Sequence, residues 1–244
     1  MASTNDSVQT TLRIPGAWSH PRELLARLPA GFKLTAESLV LPDGSAIEFV
    51  PISPDEQFAE IFKSSCRRPA TDEELAIVSR YTANIALSGP GGSLDAARTM
   101  MQAGASIIRA GGAGVFIDNS GLAHGGGDWI AMADDGSADA LSFAFVSIVR
   151  GEREIGTMGM HVLGFPDLVM RRAAGDAEAI VDVIRYVAAG EKPIGDGHVL
   201  ADGRGMPRFR VATTSGDELT ARSPMDNPLG RLRLTSVKEI VENN

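Results

Sequence analysis

Thiols are almost missing from this chain, which carries a single cysteine, Cys66. One thiol excludes an intramolecular disulfide and any cysteine-rich zinc site, and it suits a reducing cytoplasm. Aromatic residues make up only 5% of the sequence, so no stacking platform for nucleic acid is visible. Positive charge is short as well: 23 Lys and Arg against 31 Asp and Glu leave a net charge of -8. That balance lacks the basic surface that displaces counterions from phosphates, and it equally disfavours an anionic membrane surface. No apolar run approaches the roughly 20 residues needed to span a bilayer. The opening Met1-Ala-Ser-Thr-Asn-Asp-Ser7 has neither the basic nor the apolar region of a signal peptide. These absences predict a soluble cytoplasmic protein with no nucleic acid and no membrane among its partners.

What is present is enough apolar content for a sizeable core. With 43% hydrophobic residues over 244 positions, the chain can form one large domain or two small ones. Thr10 to Ile14 alternates as a strand, and Ser19 is placed to cap a helix through Pro21 to Leu28. Strands at Phe32 to Thr35, Ser38 to Leu41 and Ala46 to Val50 follow, the last two flanking the turn Pro42-Asp-Gly-Ser45. Asp55 to Lys63 reads as a helix. Thr71-Asp-Glu-Glu74 is a capping box that starts another. The segment 1–80 is expected to be an N-terminal α+β lobe or extension, with a boundary near Arg80 to Thr82.

Residues 81–244 are more regularly patterned. Ala83 to Leu87 is a buried-looking strand, followed by a helix with Leu94, Ala97, Met101, Gly104 and Ile108 on one stripe. Asp95, Arg98, Gln102, Ser106 and Arg109 face the other way. Gly114 to Ile117 returns as a strand, Trp129 to Ala133 as a short helix, and Leu141 to Val149 reads as a central strand apolar on both faces. Glu154 to Leu163 is expected to pair with it, before a helix from Asp176 to Ala189 and strands near Phe209 to Thr213 and Leu232 to Leu234. The order fits an α+β fold, a ferredoxin-like split β-α-β sandwich with helices covering a mixed sheet.

Chemistry is sparser. Ser88-Gly-Pro-Gly-Gly-Ser93 joins a strand to a helix, where amides attract anions, yet it has no P-loop lysine and no G-x-G-x-x-G. The simplest reading makes Ser93 an N-cap. His124-Gly-Gly-Gly127 resembles an oxyanion loop, but the chain contains no G-x-S-x-G elbow, and a serine hydrolase is rejected. His161 is expected on the open face of its strand. With His124 and His198 it could supply neutral imidazoles to one divalent metal, Asp128, Asp167 or Asp196 serving as ligand or orienter. Arg67-Arg68, Arg171-Arg172 and the Arg204 to Arg210 cluster are basic spots able to pair within the chain or to meet an acidic partner. Arg231 and Arg233 alternate with Leu232 and Leu234, as an edge strand or a strand with one exposed face would. Cys66 precedes two arginines that could lower its pKa.

As a set, Asp55 to Ser65, Ser88 to Gly92, Asp118 to His124, Asp128-Trp129, Gly159 to Asp167, Asp196-Gly-His198 and Asn227 to Leu234 resemble a bacterial domain-of-unknown-function family. Its pattern is a Gly-Met/Leu…Gly-x-Pro-Asp/Glu strand and turn, then a helix and an Asp-Gly turn. The resemblance covers the chain from about residue 54 onward. It implies an α/β domain with no established activity and no catalytic residue to carry over. Relatives among bacterial interaction or immunity-type proteins favour a binding module. Two readings follow. In the first, a non-catalytic module binds a protein partner or a small ligand through the sheet face at His161 and the Gly111 to Asp128 connection. In the second, a metal-assisted hydrolase uses His124, His161 and His198. No cofactor is assigned, and open sheet edges allow a homodimer.

Overall fold

The computed structural model describes residues 8–172, 177–190, 194–201, 204–214, 223–237 and 240. Among them the chain forms a mixed α+β fold of seven α-helices and two sheets, of seven and six strands. No helix among the described residues is long and apolar enough to cross a membrane.

The first sheet contains β1 (Gln9–Gly16), β2 (Lys33–Leu34), β3 (Ser38–Val40), β4 (Ala46–Ile52), β5 (Ala83–Pro90), β6 (Gly114–Ile117) and β7 (Leu122–Gly125). Its order is β2-β3-β4-β5-β1-β6-β7, with every neighbour antiparallel. Helix α1 (Pro21–Arg27) joins β1 to β2, while α2 (Phe58–Ser65) and α3 (Asp72–Val78) lie between β4 and β5. α4 (Leu94–Arg109) connects β5 to β6, and α5 (Gly126–Asp135) and α6 (Ala138–Phe145) follow β7. The second sheet holds β8 (Ser147–Arg150), β9 (Glu154–Met158), β10 (Asp167–Arg171), β11 (Val199–Ala201), β12 (Pro207–Thr214) and β13 (Arg231–Ser236). Its order is β11-β12-β13-β10-β9-β8, with β10 and β13 parallel. α7 (Ala177–Ala188) follows β10.

Local signals explain many of these boundaries. Thr71 accepts from the Glu74 amide while Glu74 reaches back to the Thr71 amide, the reciprocal cap expected there. Ser93 caps α4 by accepting from the Ala96 amide. At α1 the cap is His20 rather than Ser19: His20 Nδ1 accepts from the Arg22 amide at 3.1 Å, and Ser19 Oγ bonds Glu23 instead.

α4 carries the centre of the core. Ala97, Met100, Met101, Gly104, Ile107 and Ile108 are buried beside Leu12, Ile14, Ile47 and Leu87 of the sheet. Gly104 permits this contact, since a Cβ there would come within 2.9 Å of Trp129 Nε1. Ser106, expected on the polar side, is buried too; its hydroxyl donates to the Ala103 carbonyl at 2.7 Å.

The strands read from 81–244 as one sheet divide between two. Leu141 to Val149 is not a central strand: α6 runs to Phe145, and only the four-residue edge strand β8 follows. Ser137 starts α6 by accepting from the Ala140 amide, and the helix is buried nearly all round, which erases the period that separates helix from strand. Glu154 to Leu163 is not one strand either. It ends at Met158, Gly159 turns with φ +96, and Met160–Leu163 coils into a 3-10 turn. β1 lies between β5 and β6, so the boundary expected near residue 80 falls within a single sheet.

Candidate functional site

Asp167 opens β10 and is only 4% exposed. Its Oδ1 accepts from Thr157 Oγ1 at 3.0 Å and from the Met160 amide at 3.3 Å, and its Oδ2 accepts from Asn227 Nδ2 at 2.9 Å. Thr157 Oγ1 in turn accepts from the Leu168 amide at 2.8 Å. Burial still pushes the carboxyl above its ordinary pKa, opposed by the donors from Asn227, Thr157 and Met160. The group clamps β9, β10 and the 223–230 loop together.

His161 is 2% exposed, contrary to the open sheet face expected for it. The 3-10 turn replaces strand alternation and rotates the ring inward. Asn119 Nδ2 lies 3.1 Å from His161 Nε2 and also donates to Gln9 and Pro224 carbonyls, while Asn119 Oδ1 accepts from the Thr11 amide. Burial lowers the pKa of His161, with the Pro224 carbonyl and Asp226 acting the other way. The Gly111 to Asp128 connection is likewise mostly buried, as β6, β7 and the start of α5.

His124 occupies β7 at 1% exposure, beside the rings of Trp129 and Phe143. Its Nε2 donates to the Ala144 carbonyl at 2.9 Å, which fixes the tautomer and leaves Nδ1 as a buried acceptor. Desolvation drops its pKa to about 4. Arg67 completes the same job, donating to the Phe143 and Val146 carbonyls at 2.5 and 2.6 Å while its guanidinium lies over the Phe143 ring. These groups satisfy the carbonyls left free at the end of α6. Since Arg67 is engaged there, it does not activate Cys66, whose thiol is pushed up by burial and by Glu74 and Asp128.

The remaining candidates sit apart. Asp128 faces Arg68 at 3.6 Å on the surface. His198 Nδ1 accepts from the Gly195 amide, and Asp196 Oδ1 accepts from the Thr213 amide at 2.8 Å, both within an exposed turn beside β12. Among the described residues no group of three or more His, Cys, Asp or Glu is placed to hold a metal ion. The three histidines are thus committed to separate local contacts. The Ser88–Ser93 loop is also occupied: the Gly91 amide donates to Val8 and the Gly92 amide to Val162, whose carbonyl lies in the 3-10 turn.

The structure contains a concavity that sequence reading missed. A cleft of about 600 Å³ opens between α1 and the β4–β5 end of the first sheet. Trp18, Leu24, Leu34, Phe49 and Ile85 line it. Trp18 is held in place, since its Nε1 donates to the Ala110 carbonyl at 2.9 Å and its carbonyl accepts from Thr82 Oγ1 at 2.6 Å. Ser19, His20, Thr35 and Thr82 supply the polar lining, and among the described residues no Asp, Glu, Lys or Arg takes part. Leu25, 49% exposed, also lines the cleft. The sequence clue is Trp18, one of two tryptophans, two residues before the His20 cap of α1.

Comparison of the chain with protein-family models, with curated proteins and with solved structures finds no match.

Proposed function

We propose that this protein is a non-catalytic binding module that takes a small, uncharged, mainly hydrocarbon ligand in the cleft under α1. The cleft itself carries the reading. Its volume of about 600 Å³ lies inside the range of roughly 300–1,000 Å³ typical of ligand pockets, and its walls combine apolar side chains with a few polar groups. The absence of charged side chains among the described lining residues disfavours an ionic ligand, whose desolvation would find no compensation there. His20 spends Nδ1 on the α1 cap, which leaves Nε2 free to orient one polar atom of the ligand. Similarity to the bacterial domain-of-unknown-function family belongs to the same proposal. So does a ferredoxin-like element: β5 and β6 run parallel with β1 between them and α4 as the crossover, a split β-α-β unit.

The uncharged dye N-phenyl-1-naphthylamine tests this. Its emission should rise saturably with one site per chain, and Ala83→Phe, which fills the cleft from β5, should weaken binding about tenfold or more. Absence of saturable binding, or unchanged affinity in a folded Ala83→Phe variant, overturns the proposal.

A further inference from the structure

Three basic stretches lie far apart in the sequence: Arg171-Arg172, the Arg204 to Arg210 cluster, and Arg231 with Arg233. Strand register brings them together. Arg210 stands opposite Thr235, Ala212 opposite Arg233 and Thr214 opposite Arg231. On the other flank of β13, Arg231 stands opposite Asp167 and Arg233 opposite Val169, while Arg171 of β10 faces Glu154 of β9. Cross-strand partners share a face, and alternate residues of a strand share it too. Arg171, Arg210, Arg231 and Arg233 therefore project from one side of three adjacent strands. The opposite side carries Leu168, Leu232, Leu234, Phe209 and Val211, which are buried in the core with Ile180 and Ile184 of α7.

Among the described strand residues of this side the acidic groups are Glu154 and Asp167, and both are engaged. Glu154 accepts from Arg233 at 2.7 Å, and Asp167 is buried among its donors. Arg171 and Arg210 are exposed. The two ends of the face are apolar: Val149 is 45% exposed, opposite Gly156, and Val199 is 56% exposed, opposite Arg210. Forked guanidinium groups flanked by exposed aliphatic side chains suit carboxylates on a polypeptide, which arginine grips with two parallel hydrogen bonds. A nucleic acid fits less well. The described residues put no aromatic ring on this face for bases to stack on.

We propose that this face of the six-stranded sheet docks a carboxylate-rich segment of another protein. It uses a surface separate from the cleft and does not depend on a ligand there.

The test is fluorescence anisotropy of the full chain with a labelled Glu/Ala-alternating peptide. Binding that weakens steeply with salt is expected, with a loss of about tenfold or more in the Arg171→Glu/Arg210→Glu variant and none in Arg22→Glu on α1. Arg210→Glu alone, at an exposed position, keeps the test valid if the double variant fails to fold. No binding, or a loss equal in Arg22→Glu, overturns the proposal. Tighter binding of a thymidine oligonucleotide of equal charge would do the same in favour of nucleic acid. So would a salt-sensitive dimer of this chain that Arg210→Glu dissociates, which would make the occupant a second copy.

Discussion

Thr157 and Asp167 form a pair whose worth lies in what each would leave unpaired. Thr157→Val removes the donor to Asp167 and the acceptor for the Leu168 amide, all of them buried. A stranded buried group costs about 1–3 kcal/mol, so chemical denaturation should show the variant about 2 kcal/mol less stable, with Asn227→Ala similar because Asp167 Oδ2 then loses its partner. His124 ties stability to pH. Its folded pKa of about 4 lies below the ordinary value of about 6.5, so the neutral ring is the folded form. Its contribution is complete above about 6.5 and is lost as pH falls toward 4, over a span worth roughly 3 kcal/mol. Asp167 acts in the opposite sense. Its raised pKa gives stability that is complete below the ordinary carboxylate value and is lost as pH rises through the folded one. The unfolding free energy measured from pH 7 to pH 4 should therefore fall, and the fall should flatten in His124→Gln, whose amide can still donate to Ala144. An equal slope in both proteins would contradict this role. The sequence shows the types of these residues but not their partners: His161 and Asn119 are 42 positions apart and meet only in the fold.

Elements were legible where a local signal ends them. The Thr71 capping box, the Ser93 cap and the Asp43-Gly44 turn each satisfy backbone groups within a few residues, and each is present. Recognition failed where burial removed the period. α6 is apolar on nearly all sides, and the strand-like sequence from Glu154 continues past Gly159, where the backbone turns left-handed. Gly164, which closes the 3-10 turn, is the sharper example. Its φ of +88 disfavours a side chain, and a Cβ there would lie 2.5 Å from the Gly92 carbonyl. Gly164→Ala should combine backbone strain with displacement of the Ser88–Ser93 loop, and should lower stability by roughly 3 kcal/mol in chemical denaturation. A loss under about 1 kcal/mol would show that this contact does not fix the turn against α4.

At the scale of the molecule, pairing over long sequence distances decides what is exposed. β1 inserts between β5 and β6, more than 60 residues on, and no local pattern near Thr10 encodes that choice. The same pairing builds the cleft, because Trp18 comes from the β1–α1 connection, Phe49 from β4 and Ile85 from β5, and it brings basic residues from three separate stretches onto one face. The alternation of Arg231 and Arg233 with leucine is legible in the sequence, and of the two readings it allows β13 is the strand with one core-facing side, in the interior of its sheet and not at an edge. The cleft is tested most directly by methyl NMR of the Leu- and Ile-labelled protein titrated with N-phenyl-1-naphthylamine. Shifts confined to Leu24, Leu25, Leu34 and Ile85, with Leu232 and Leu234 unmoved, are the predicted result. Shifts absent from those four residues, or centred on the second sheet, would contradict a ligand site under α1.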